Sequence, residues 1–317
     1  MPGPVVTGMR PGDRAWLNGR FVPRETLAVP VGDAGFVLGA TVTEQLRTFR
    51  GELFLPEPHR ERLARSLAAV GIDPGVSLDE VMAAAAEVAR SNHAAVGDGD
   101  LGVVIFVTPG DQPSQHEGTR GRPMMAVHSF PLAFSLWADA YEAGVSLRSV
   151  AVAQVPAACW PIHAKVRSRL HYFLADQEAH AAESGARAVV CHADGRVSET
   201  STANIAVVRD GGILSPPPAD ALPGVSLMFA RQLAAAAGIG WAEQSLTIAD
   251  LTAADEILLT STPSCLLPAT RLDGKLVGGG RSHEAGLPGT VYRQLLSVWG
   301  EAVNIDIAHQ ARRHARR

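Results

Sequence analysis

Strand-length apolar runs and longer runs with helical spacing are intermixed in both halves of this chain, and that mixture constrains the fold more than any single residue does. Both kinds of element in each half predict an α+β architecture. A length of 317 residues is enough for two domains, each with its own core. The expected division is a smaller N-terminal domain over 1–132, an interdomain linker over 133–144 and a larger C-terminal domain over 145–317.

Residues 15–22 read as a hairpin, two short strands around Asn18-Gly19, a favoured tight-turn dipeptide. The segment 42–49 alternates as a strand, and Arg50-Gly51-Glu52 turns it into Leu53-Phe54-Leu55. Leu63, Leu67 and Val70 repeat at helical spacing from about residue 57, and Gly71 supplies the stop. Ser77-Leu78-Asp79-Glu80 is a capping box opening an alanine-rich helix to about Ser91. Strands at 101–107 and 124–129 enclose a polar loop, 109–122, expected as a flexible rim. Beyond the linker come a strand over 145–155 and a helix over 167–184. Strands at 188–191 and 205–208 flank the Asp194-Gly195 turn, followed by a helix over 225–237 and a strand over 256–260.

Hydrophobic content of 46% and charged content of 19% describe a soluble globular protein. A formal net charge of −4 gives no electrostatic reason to expect nucleic acid or an anionic membrane. The apolar run 101–107 is too short to cross a bilayer, and Met1-Pro2-Gly3-Pro4 has no apolar core for a signal peptide. Cys159, Cys191 and Cys265 are odd in number and far apart, which argues for a reducing compartment and against a zinc site. A cytoplasmic protein without metal is therefore expected. The basic tail, 310–317, reads as a solvated extension.

Only Lys165 and Lys275 supply primary amines on side chains. Lys275 lies in the turn Asp273-Gly274-Lys275, whereas Lys165 follows Pro161-Ile162-His163-Ala164 at the mouth of a helix-like run. A desolvated lysine can lose its proton and form an imine, which an arginine cannot do. Lys165 is thus a candidate Schiff-base lysine. Four further blocks stand with it: His59-Arg60-Glu61-Arg62-Leu63, Glu199-Thr200-Ser201-Thr202-Ala203-Asn204-Ile205, Leu222-Pro223-Gly224-Val225-Ser226 and Leu259-Thr260-Ser261-Thr262.

In order and spacing these blocks resemble the class IV aminotransferases, the fold-type IV pyridoxal-phosphate enzymes. That group includes branched-chain aminotransferases, D-amino-acid transaminases and aminodeoxychorismate lyases. The likeness runs from about Trp16 to Trp299. It implies a two-domain, D-amino-acid aminotransferase-like fold whose larger C-terminal domain binds pyridoxal 5'-phosphate, and a homodimer with its active site near the subunit interface. By the same resemblance Lys165 forms the imine and moves the α-proton, and Glu199, at a strand entrance, partners the pyridine nitrogen. The phosphate falls to Arg62, Thr262 and the helix start at Val225 and Ser226, where unsatisfied N–H groups favour an anion. Amino acids and 2-oxo acids are the implied substrates, with a branched-chain or similar apolar amino acid first; a lyase releasing pyruvate is the alternative.

The substrate pocket departs from the family's subgroups. Thr43 stands where relatives usually carry an aromatic residue, and is expected to open the pocket. Pro109 and Gly102 replace the carboxylate-binding arginines of the D-amino-acid and bacterial branched-chain enzymes, and Leu170 replaces a tyrosine. Arg47 remains for the substrate carboxylate, with Tyr172 or the 109–122 loop assisting.

Overall fold

The computed structural model describes residues 14–118, 121–278 and 286–315. The chain divides into two compact units, Met1–Leu132 with Ala164–Ser168, and Ala133–His163 with Arg169–Arg317.

The first unit is built on an antiparallel sheet of β1 (Arg14–Leu17), β2 (Arg20–Pro23), β3 (Val42–Phe49), β4 (Glu52–Leu53), β5 (Leu101–Thr108) and β6 (Met124–Pro131), in the order β2-β1-β6-β5-β3-β4. Asn18 and Gly19 both take positive φ, 45° and 87°, as the tight turn between β1 and β2 requires. A short helix α1 (Ala34–Val37) precedes β3, and α2 (Pro56–Val70) and α3 (Leu78–His93) follow β4. Gly71 ends α2 in the left-handed conformation, and the Ser77 hydroxyl accepts from the Glu80 N–H at the start of α3. Leu63 and Leu67 of α2 and Val81, Ala85 and Val88 of α3 meet Leu46, Val103, Ile105 and Val127 in one core. Each large side chain buried there contributes about 1.5–3 kcal/mol. The 109–122 loop, expected as a free rim, is tied at its base. The Thr108 hydroxyl donates to Asp33, and backbone bonds join Ala34 to Gly110 and Gln112 to Gly32. Residues 119–120 lie outside the described set.

In the second unit, α4 (Ala140–Ala143) leads into β7 (Val145–Ala153), α5 (Leu170–Ala182), β8 (Arg187–Cys191), β9 (Val197–Thr200), β10 (Asn204–Arg209) and β11 (Gly212–Ser215). Then follow α6 (Val225–Ala236), β12 (Trp241–Glu243), α7 (Ile248–Thr252), β13 (Glu256–Ser261), β14 (Cys265–Leu272), β15 (Lys275–Leu276), α8 (Thr290–Val303) and α9 (Ile307–Ala315). The strand order is β12-β11-β10-β13-β14-β7-β8-β9, and β9 also pairs with β10 through Glu199 opposite Asn204. Six strands therefore close on themselves, and Glu199 sits at the closure.

Four expectations are corrected here. Residues 133–144 are no free linker: Phe134 and Tyr141 are buried in the second unit, and the Tyr141 hydroxyl donates to the Ser264 carbonyl at 2.7 Å. The helix expected from 167 starts at Leu170, because Lys165, Arg167 and Ser168 make their bonds within the first unit. Glu199 lies inside a strand rather than at a strand entrance. The basic tail is not solvated throughout: Gln310 and Ala311 are buried on α9, and Arg312 pairs with Glu142. Residues 316–317 lie outside the described set.

Candidate active site

In the first unit, alternation along β3 turns Val42, Glu44 and Leu46 towards α2. Glu44 has no exposed surface, and an isolated carboxylate so placed would be costly. It is compensated by α2. Arg62 grips both carboxylate oxygens, Nε at 2.9 Å and Nη2 at 2.6 Å, and His59 Nδ1 lies 3.0 Å from Oε1. Burial pushes the Glu44 pKa up, but the facing Arg62 and His59 outweigh it and hold the group well below the usual carboxylate range. Burial drives His59 the other way, below its ordinary value despite Glu44, and its Nδ1–H donates to the Glu44 carboxylate. Arg62 is thus the permanent cationic partner, fixed in one orientation by a bidentate bond.

The Lys165 segment lies along the β3 end of the same unit. The Thr43 N–H donates to the Lys165 carbonyl at 2.9 Å, the Lys165 N–H donates to the Ser66 hydroxyl at 3.0 Å, and the Arg167 N–H donates to the Thr41 hydroxyl at 2.9 Å. Ser66 in turn donates to the Arg62 carbonyl one helical turn back. The Thr43 N–H and the Ser66 hydroxyl therefore hold the lysine, half-buried, beside the Glu44–His59–Arg62 cluster, and its charge is among those that depress His59.

Two expected substrate residues of this unit do other work. Arg47 is 1% exposed, stacks on the Phe49 ring at 3.9 Å, lies 3.6 Å from Asp100 and donates to the Thr48 carbonyl. It is a core arginine with its charge met internally, not one presented to a substrate. Thr43 is buried with its hydroxyl donating to the Ile105 carbonyl at 3.0 Å, so it binds β3 to β5 instead of opening a pocket. At Gly102 the Phe130 ring fills the space a side chain would need.

In the second unit, Glu199 is buried and held through both oxygens. The Tyr172 hydroxyl donates to Oε1 at 2.5 Å, and the Asn204 amide donates to Oε2 at 3.1 Å. Tyr172, expected at the substrate carboxylate, is therefore a partner of Glu199. Asn204 also donates to the Leu222 carbonyl at 2.8 Å, which ties Glu199 to the turn that opens α6. Gly224 is the N-cap of α6 and has no side chain to bond the first-turn N–H groups of Val225 and Ser226. A Cβ at Gly224 would overlap the Asn204 oxygen, so glycine here permits Asn204 to close on Glu199. We expect Gly224→Ala to destabilise the protein by about 1–3 kcal/mol, as overpacking does. Its urea midpoint should fall while far-UV circular dichroism is kept; an unchanged midpoint would show that the turn yields freely.

Pyridoxal phosphate would need an anion cradle and an acidic group for its ring, and the second unit fits both requirements. Ser226 is buried in the uncapped first turn of α6, and the buried Thr260 hydroxyl has no partner among the described residues. Thr262 begins the turn after β13. Among the described residues no group of His, Cys, Asp and Glu side chains is arranged to hold a metal ion, and no helix is long and apolar enough to cross a membrane. Glu44, His59, Ser66, Gln154 and Asn204 are the residues sequence reasoning left without a role. Asn204, inside the quoted Glu199 block, and His59, at the head of the quoted Arg62 block, carried a signal.

Comparison with known proteins gives the same direction. The family model for class IV amino-transferases matches residues 41–272. A D-alanine aminotransferase of Bacillus licheniformis is 29% identical over 266 residues, covering 83% of this chain and 90% of the relative. The branched-chain amino acid aminotransferase of Escherichia coli superposes with a TM-score of 0.82 at 25% identity, covering 92% of this chain and 94% of that one. A T.th. branched-chain amino acid aminotransferase, solved with pyridoxamine 5'-phosphate, gives 0.77 at 25% identity, covering 93% and 95%. The chain belongs to the class IV aminotransferase family and is an amino-acid transaminase.

Proposed function

We propose that this transaminase uses pyridoxal 5'-phosphate, attached at Lys165, to move an amino group from an apolar amino acid of branched-chain type to a 2-oxo acid. The observation that carries the reading is the Asn204 amide. It joins a buried carboxylate, Glu199, to the uncapped helix start at Gly224, so one unit offers an acid for a pyridine nitrogen and donors for a phosphate. The cofactor supplies an electron-accepting ring that stabilises negative charge at the amino acid's α-carbon. Lys165 contributes the amine and carries the α-proton. Glu199 keeps the ring nitrogen protonated, and Val225, Ser226, Thr262 and Arg62 hold the phosphate. Pyridoxamine 5'-phosphate in the T.th. relative supports the cofactor.

An apolar donor comes first because a solved structure of similar fold, at 25% identity, is a branched-chain enzyme. D-alanine is the second reading, favoured by the curated relative. We further propose a cytoplasmic location, in keeping with three free cysteines, and a homodimer, supported by apolar side chains left exposed at Val31, Phe36 and Leu38 and, on α5, at Leu170 and Phe173. The test is a screen of the cofactor-loaded protein against L- and D-amino acids. A donor should bleach the visible band, and a 2-oxo acid should restore it. Leucine, isoleucine or valine as the fastest L-donor is the expected result, whereas bleaching by D-alanine alone would replace it with the second reading. Bleaching by neither series would remove both. Light scattering on the same sample should give twice the chain mass.

A further inference from the structure

The helical phase of α5 turns Leu170 and Phe173 outward and Tyr172 inward, where it packs with Ala175, Ala179, Ala188 and Val190. A tyrosine that only filled this core would need no partner for its hydroxyl beyond one acceptor. Here the phenol sits in the middle of a chain of bonds. Its O–H donates to Glu199 Oε1 at 2.5 Å, and its oxygen accepts from Gln154 Nε2 at 2.9 Å. Gln154 is itself immobilised, since Nε2 also donates to the Ser198 hydroxyl at 3.0 Å and Oε1 accepts from the Val155 N–H at 2.9 Å. The Arg169 guanidinium lies 4.7 Å from the Tyr172 ring centroid, and the His171 ring lies at 4.0 Å. Burial, and after it the Glu199 carboxylate, push the Tyr172 pKa well above its ordinary value, so the phenol is a donor at every working pH.

We propose that Tyr172 is a positioning residue for amino transfer: with Asn204 it fixes the Glu199 carboxylate and favours its ionised form, and Gln154 fixes Tyr172 in turn. This rests on the reading of Glu199 as the partner of the cofactor's ring nitrogen. Hydrogen bonds to a carboxylate favour the charged state, and charge-assisted bonds are about twice as strong as neutral ones. Tyr172 thus acts through Glu199 and needs no contact with substrate.

The test compares the parent with Tyr172→Phe, Glu199→Gln and the double variant. Tyr172→Phe keeps the ring and should keep the parent's circular dichroism. Its apoprotein should bind pyridoxal phosphate about threefold to tenfold more weakly, read by tryptophan fluorescence, because a charge-assisted bond behind the ring's partner is gone. Its kcat should fall about tenfold with KM within about twofold, the pattern of an interaction that matters in the transition state. The double variant should be no slower than Glu199→Gln alone, because coupled residues are not additive. Parent-like affinity and kcat in Tyr172→Phe, or a double variant showing the full product of both losses, would overturn the proposal. If Tyr172→Phe does not fold, Gln154→Met decides. It should show a smaller loss of cofactor affinity, and parent-like affinity there overturns the proposal as well. A parent that binds no pyridoxal phosphate, or a Glu199→Gln variant equal to it, sinks the reading of Glu199 itself. A slow Glu199→Gln beside a parent-like Tyr172→Phe sinks only the role of Tyr172.

Discussion

Lys165→Ala should lower kcat by about four orders of magnitude or more, because one substitution removes both the covalent attachment and the proton carrier. The fold should persist. What holds this segment is its backbone, with the Lys165 carbonyl accepting from Thr43 and its N–H donating to Ser66, and alanine keeps both groups. The side chain is half-buried and its removal leaves no large apolar cavity, so the thermal midpoint should shift by only a few degrees. A second readout does not depend on turnover. Borohydride reduces a linkage between a lysine amine and an aldehyde, so treating the loaded parent should leave the cofactor's mass on the peptide containing Lys165. The other lysine, Lys275, stands in the exposed strand β15 and is the internal control. Label on Lys275, or full turnover in Lys165→Ala, would end the assignment.

Lys165 stood out in the sequence because side-chain amines are scarce, two in 317 residues with the other in a turn, and Glu199 because it opens a block that resembles the family's. Local signals also reached the structure: Asn18-Gly19 for the hairpin, Gly71 for the end of α2, Ser77 for the start of α3. The failures share a different cause. Arg47 looks like a substrate anchor until the β3–β5 register, Arg47 opposite Gly102, brings Asp100 beside it. Tyr172 and Gln154 meet Glu199 and Ser198 across separations of 27 and 44 residues, which no local pattern encodes. The basic tail misled for another reason. A helix whose buried face is only Ile307, Gln310 and Ala311 has almost no apolar stripe to read. β11 and β12, four and three residues long, are too short to show alternation.

The Glu44–Arg62–His59 cluster leads to the second large effect. Glu44→Gln leaves the Arg62 guanidinium buried without its carboxylate, and losing one partner of such a pair costs about 3–5 kcal/mol at neutral pH. Urea unfolding of the apoprotein reads this directly. The pH dependence has a definite sign. Glu44 has a folded pKa below its unfolded value of about 4.3, so its contribution is complete above that pH and fades as the solution is acidified further. His59, lowered by burial, adds to the same trend from higher up: below about 6.5 the unfolded chain takes a proton that the folded ring resists. The parent should therefore lose stability in two stages on acidification. Glu44→Gln should retain the first stage and lack the second, so the gap between parent and variant narrows below about pH 4. A gap that stays constant from pH 7 to pH 3 would mean that the carboxylate's charge contributes nothing, and that the variant fails through shape alone. Because the same bidentate bond sets the direction of Arg62, the variant should also bind pyridoxal phosphate more weakly at pH 7, where the fold is intact. A destabilised variant with parent-like affinity would separate the two roles and leave Glu44 as a structural charge.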